Sequence, residues 1–340
     1  MSDTLSQRFE RFALRECHVS PLYERLSLGI AHDPELLAIA AQAKPGQPVP
    51  NLFLAAVHFL LLRDVQHPLA DFYPSLAAMP PAADPYPSFR AFCLEHQESI
   101  LALISTRLVQ TNEVRRCSCL LPAFAHVARR SPGRPLGLVE IGASAGLNLL
   151  WDRYSYDYGA NRRCGDPRSP VHIACELRGA QQPPLPAALP LVARRVGLDL
   201  DPLDVRDPDA ALWLRALVWP DEAGRAELLQ QAIRVAQQDP PRLWPGNALD
   251  LLPEALATIP NDQALCVFHT HTINQFAPEA RARLSALLAE HAAGRNLYRI
   301  SIEWLGEVYP RLELVAFESG VRTESLLAYC GAHGEWLEWL

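Results

Sequence analysis

Lysine is almost missing from this chain: Lys44 is the only one among 31 basic side chains in 340 residues. Schiff-base chemistry and a Walker-type phosphate lysine therefore have no residue to carry them. Long apolar runs are missing too. The longest, Leu52 to Leu62, is interrupted by His58 and falls well short of the roughly 18 residues that cross a bilayer. The opening MSDTLSQRFERF alternates charged and apolar groups and lacks the continuous apolar core of a signal peptide. The expectation is a soluble, cytoplasmic protein without a membrane partner. Positive charge is also in short supply. The formal net charge is −7, the pI is near 5.9 and no Lys/Arg run stands out, so nucleic acid is not an expected partner. Eight cysteines are scattered, with Cys117-Ser118-Cys119 the only close pair, which argues for reduced, mostly buried thiols and against a metal centre.

What is present is apolar content of 49%, enough for one large core or two moderate ones at roughly 100–200 residues per domain. Two are expected. From residue 5 to about 130 apolar positions recur at three- and four-residue steps, as in LSQRFERFALREC, the Asn51-capped NLFLAAVHFLLLRDV and SFRAFCLEHQESILALISTRLVQ, which predicts an all-helical domain over 1–133. SPGRP (131–135) then breaks the pattern, and LGLVEIG reads as a buried parallel strand. Beyond it a strand at 136–141, a helix from Ala145 to about Tyr154 and a strand at 191–202 alternate with later helices and strands. The strand 264–272, the helix 278–293, the strand 296–305 and a β-rich tail close the chain. This predicts an α/β domain over 134–340 with a doubly wound, mixed sheet and an antiparallel edge. Residues 155–190, rich in Pro, Gly and Arg, read as an insertion forming a lid or small β excursion.

Gly142-Ala143-Ser144-Ala145-Gly146 fits two chemistries. As G-x-S-x-G it is a nucleophile elbow with Ser144 as nucleophile, an acid at Asp199 or Asp201 and a base at His269 or His271. That reading needs several strands ahead of the serine, where this chain is helical. As a glycine turn after the first strand it cradles a ligand at the carboxyl ends of an open sheet, where a helix start near Ala145 offers N–H groups. The pattern is not G-x-G-x-x-G, and Asp199 lies too far on for a dinucleotide fold. Glu140 would repel a pyrophosphate but pair with an ammonium, which S-adenosylmethionine carries.

EIGASAGLNLLWDRYSYDYG (140–159) resembles the signature of a bacterial family, domain-of-unknown-function family 2332, whose sheet half is similar to class I S-adenosylmethionine-dependent methyltransferases. The resemblance runs over nearly the whole chain and implies a Rossmann-like, methyltransferase-like fold. It implies that Glu140, Gly142, Ser144 and Gly146 hold the methionine end of the cofactor. It implies Asp199, with Asp201 as rival, on the ribose, Asn247 and Ala248 beside adenine, and His269, Thr270 and His271 near the methyl group.

Among other residues, His269 and His271 sit two apart on the presumed strand and would point the same way, one as a general base with His271 the first candidate. Glu303 ends the next strand and would border the same cleft, or cap a helix. Asn148 is a poor interior helix residue whose side chain would bond to the loop or ligand. Trp151 reads as core, whereas Arg153, Tyr154 and Tyr156 can reach solvent and bind a substrate. The function expected is methyl transfer to a small-molecule acceptor enclosed by the helical domain. The alternatives are a non-catalytic ligand-binding or interaction module and a serine hydrolase. A small-molecule ligand is the expected partner, with homodimerisation allowed for.

Overall fold

The structure, a computed structural model, describes residues 3–340. The chain divides into two compact units, one ending at Thr111 and regaining 206–230, the other comprising 112–205 and 231–340. In the first unit α1 (Leu5–Arg15) starts on a capping box of Thr4 and Gln7. α2 (Pro21–Ala31) and α3 (Pro34–Ala40) start on prolines behind Ser20 and Asp33 caps. α4 (Val49–Leu62) is buried on nearly all sides, as an apolar helix without a polar stripe must be. It begins before Asn51, which lies in its first turn rather than capping it. The stretch after Pro87 is two helices, α5 (Tyr86–Glu95) and α6 (Gln97–Thr106), broken at His96.

α7 (Cys117–Arg130) opens the second unit, so the seam lies ahead of this helix rather than at 133; its Phe124 packs against Phe268 of the sheet at 5.3 Å. α8 (Pro208–Ala216) belongs to the first unit, and α9 (Ala223–Gln238) carries the seam at 230/231. α10 (Ala248–Ala257) and α11 (Pro278–Ala292) complete the helices of the second.

The strands are β1 (Leu136–Ile141), β2 (Ser155–Asp157), β3 (Arg163–Gly165), β4 (His172–Ala174), β5 (Glu176–Arg178), β6 (Val192–Asp199), β7 (Arg242–Pro245), β8 (Ala264–Thr270), β9 (Leu297–Glu303), β10 (Arg311–Glu318), β11 (Val321–Cys330) and β12 (Trp336–Trp339). Nine form one sheet in the order β5-β12-β11-β10-β9-β8-β1-β6-β7. The run from β7 through β6, β1 and β8 to β9 is parallel. β9 to β12 pair antiparallel, and β5 joins β12 in parallel at the edge. The expected mixed α/β sheet is therefore present. The 155–190 insertion supplies a separate three-stranded sheet, β3-β2-β4, besides the edge strand β5.

The pleat sorts the buried residues of β1 onto two faces. Val139 and Ile141 join Leu265, Val267 and Leu297 under α10 and α11. Glu140 and Leu138 point the other way, towards α7. Among the described residues no helix is long and apolar enough to cross a membrane.

Candidate functional site

The strand order reverses at β1: the chain moves outward through β6 and β7, then returns to β8 on the other side. Ligands of open parallel sheets bind outside the carboxyl ends of strands at such a switch point. The GASAG turn lies there. Gly142 and Gly146 have φ of +73° and +72°, conformations glycine adopts at no steric cost. A Cβ on Gly142 would come within 2.5 Å of Thr272 Oγ1, and one on Gly146 within 2.6 Å of Pro241 Cγ. Both glycines thus serve the packing of the turn against its neighbours.

Four of the turn's amides are engaged internally. Gly142 and Ala143 donate to Leu198 O at 2.8 and 3.2 Å, and Gly146 to Ala143 O at 2.6 Å. Ser144, itself at φ +52°, donates its amide to Asp199 Oδ2 at 2.7 Å. The expected helix from Ala145 to Tyr154 is corrected to a 3-10 segment, Leu147–Arg153, kinked at Leu150. Its first amide, Leu147 N, donates to Asn112 Oδ1 at 3.0 Å. The amides of Gly142, Ala143, Ser144, Gly146 and Leu147 are thus engaged within the fold.

Glu140 is 1% exposed, and its Oε2 has no hydrogen-bond partner. Burial raises its pKa well above the carboxylate range. The Asp199 charge adds to that, while the Asn148 side-chain hydrogen bond and the Arg116 charge pull partly back. Asn148, buried in the 3-10 segment, also accepts from Cys117 Sγ at 3.3 Å, so its side chain is bonded as its poor helix propensity requires. A buried carboxyl with one unpartnered oxygen, held on the α7 side at the switch point, is the principal chemical feature of the site.

The two histidines do not act as a pair. β8 ends at Thr270 and His271 takes φ +51°, so the two-residue alternation stops before it. His269 follows Leu265 and Val267 onto the α10/α11 face, away from Glu140. Its Nδ1 lies 2.6 Å from Glu303 Oε1, and Arg299 Nε donates to its Nε2 at 3.0 Å. This fixes the proton on Nδ1, and burial keeps the ring neutral. Glu303 is a cap: Oε1 also accepts from the amides of Thr272 and Ile273 and Oε2 from that of Asn274, at 3.0 to 3.3 Å. Burial alone would raise its pKa, but these donors, His269 foremost, hold it below the usual value. The structure places His269 and Glu303 together, bonded to each other, to Arg299 and to the 272–274 amides. His271 differs. Its Nε2 is buried without a partner, and burial, with the Arg116 charge, depresses its pKa to about 3.

The remaining predicted residues are mostly engaged by the fold. Asp199 Oδ1 accepts from the amide of Asp201 at 3.0 Å. Asn247 caps α10 through Leu249 N at 2.9 Å, and Ala248, the first residue of that helix, is buried in the core. The expectation that Tyr154 and Tyr156 reach solvent is corrected: both are buried and donate to Leu147 O and Trp151 O at 2.7 and 2.5 Å. Arg153 forms an ion pair with Asp239. Trp151 is core as expected, stacked on Phe124 at 4.7 Å. Sequence reasoning missed Asn112 and Arg116, whose segment (112–116) lies between helical stretches; the acid-start turn N-E-V before α7 is the sole signal. Among the described residues no cluster of three or more His, Cys, Asp or Glu can hold a metal.

No curated protein and no solved structure matches the chain. The family model described as "Uncharacterized protein conserved in bacteria (DUF2332)" matches residues 6–339, and with that span matched, the chain belongs to this family.

Proposed function

We propose that this chain is a cytoplasmic methyltransferase that binds S-adenosylmethionine on a Rossmann-like sheet and alkylates a small-molecule acceptor. One observation carries the reading: a fully buried carboxyl with an unpartnered oxygen stands at the switch point of five parallel strands. A buried polar atom without a partner costs about 1–3 kcal/mol, and a cationic group on a ligand removes that cost. Glu140 fits the α-ammonium of the cofactor. S-adenosylmethionine supplies a methyl carbon on a sulfonium. Displacement at such a carbon needs mainly positioning and a proton acceptor. His271, whose Nε2 is buried without a partner, is the candidate acceptor, its basicity lowered by burial. Asp199, with one amide on each oxygen, is the carboxylate that would receive the ribose hydroxyls.

The engagement of Asn247 as a cap favours a second reading, a ligand-binding module without catalysis. As for Ser144 as a nucleophile, both nitrogens of His269 are engaged with Glu303 and Arg299. Isothermal titration with S-adenosylmethionine tests the cofactor step, with a Kd in the micromolar range expected. No heat at millimolar ligand overturns it.

A further inference from the structure

Trp304, Leu305, Val308 and Tyr309 fall within six residues and are exposed by 47, 47, 78 and 48%. They belong to the loop between β9 and β10, at the carboxyl end of a strand that runs parallel to β8 and β1. The loop thus stands on the same sheet edge as the GASAG turn, two strands and about 10 Å from β1 at the usual strand spacing. His271 adjoins it. Its amide donates to Ile302 O at 2.8 Å, and the next amide, Thr272 N, donates to Glu303 Oε1 at 3.0 Å, one residue before Trp304.

The loop is braced from within. Trp304 Nε1 donates to Glu307 O at 2.6 Å and the Leu305 amide to Glu307 Oε2 at 3.2 Å. Glu307 Oε1 pairs with Arg311 at 3.1 Å, and the Tyr309 ring packs perpendicular to Trp336 at 5.0 Å. With these polar groups joined to one another, the loop presents apolar surface to water, and a concentrated apolar patch marks a binding site. Size and charge select the occupant. Half of one Trp and half of one Tyr amount to about 200 Å², and Leu305 and Val308 added to them leave the patch below the roughly 800 Å² per partner of a stable protein interface. Arg311 is shared with Glu313 at 2.7 Å, so the loop brings no net positive charge to an anionic membrane. A small flat ring fits both limits, because aromatic side chains attract it beyond the area they cover.

We propose that the 304–309 loop binds the aromatic ring of a small-molecule acceptor, with Trp304 as the specificity-determining residue. The inference rests on the methyl-transfer reading for the ligand's role as acceptor, and on the loop alone for its binding.

Calorimetry with 2-naphthol and with decahydro-2-naphthol, its saturated counterpart with the same hydroxyl, tests it on the wild type, Trp304→Ala, Trp304→Phe and Leu14→Ala, the last removing an exposed apolar side chain of the first unit. The wild type is expected to prefer 2-naphthol by about fivefold, the scale of one aromatic contact. The preference disappears in Trp304→Ala and persists in Trp304→Phe and Leu14→Ala. Melting temperature and S-adenosylmethionine affinity stay unchanged in all four, which shows that the variants fold. A preference that survives Trp304→Ala, equal affinities in the wild type, or no binding of either alcohol overturns the inference and leaves the cofactor reading standing. A Trp304-dependent preference without any S-adenosylmethionine heat supports the loop as an aromatic site and overturns the cofactor reading alone.

Discussion

Glu140 illustrates how a single residue can oppose the fold that contains it. Its folded pKa is raised, so its contribution is fully present below the unfolded value near 4.5 and is lost as pH rises towards the folded pKa. Above that range the carboxyl is a liability to stability. Glu140→Gln, which keeps the shape and the acceptor for Asn148, is therefore expected to raise the melting temperature, and to raise it more at pH 8 than at pH 5. The gain is roughly 2–4 °C per kcal/mol removed. A pH-independent loss of stability would mean the carboxylate is a structural partner instead. Gly142 makes the opposite case. Gly142→Ala adds both an unfavourable φ and a contact with Thr272, whereas Gly133→Ala carries a similar φ of +77° with nothing within 4 Å. Denaturant titration of the two separates backbone strain from collision, and Gly142→Ala should be the worse by roughly 1–3 kcal/mol.

Between residue and fold, the elements show why part of the site was legible and part was not. The parallel strands 136–141 and 264–270 announced themselves as short apolar runs bounded by turns, and the glycine turn followed from spacing. The 3-10 segment did not, because Leu147, Leu150 and Trp151 are spaced for a helix while the N-terminal cap is Gly146 in the left-handed region and Leu150 departs from helical angles; tertiary packing of Trp151 on Phe124 overrides the local period. The cap role of Asn247 went unread, whereas Glu303 was open between cap and cleft, for a different reason: a cap and a ligand contact draw on the same polar side chains. Substitution resolves Asn247. Asn247→Ala should cost about 1 kcal/mol of stability through the lost α10 cap while leaving S-adenosylmethionine affinity within twofold, and Asn247→Asp should restore the stability. A tenfold loss of affinity with unchanged stability would assign it to adenine after all.

At the scale of the molecule, acid acts on both compact units through buried imidazoles. His58 lies in the first, its Nδ1 3.1 Å from Ala216 O and its Nε2 2.8 Å from Ser75 Oγ, and burial depresses its pKa to about 4. His271 lies in the second, at about 3. A histidine whose folded pKa is below its usual 6.5 is protonated first in the unfolded chain, so its stability is complete above pH 6.5 and is lost as pH falls towards the folded value. For His58 alone the full loss is about 3 kcal/mol. Because the two groups belong to different units, one global melting curve would merge their effects, whereas hydrogen-exchange protection reads them separately. Between pH 7 and pH 5, protection in α4 and in β8 should both fall. In His58→Asn, which keeps the donor to Ala216 O and removes the titration, α4 should lose most of that dependence while β8 retains it. An undiminished response in α4 would show that some other group governs the acid sensitivity of the helical unit.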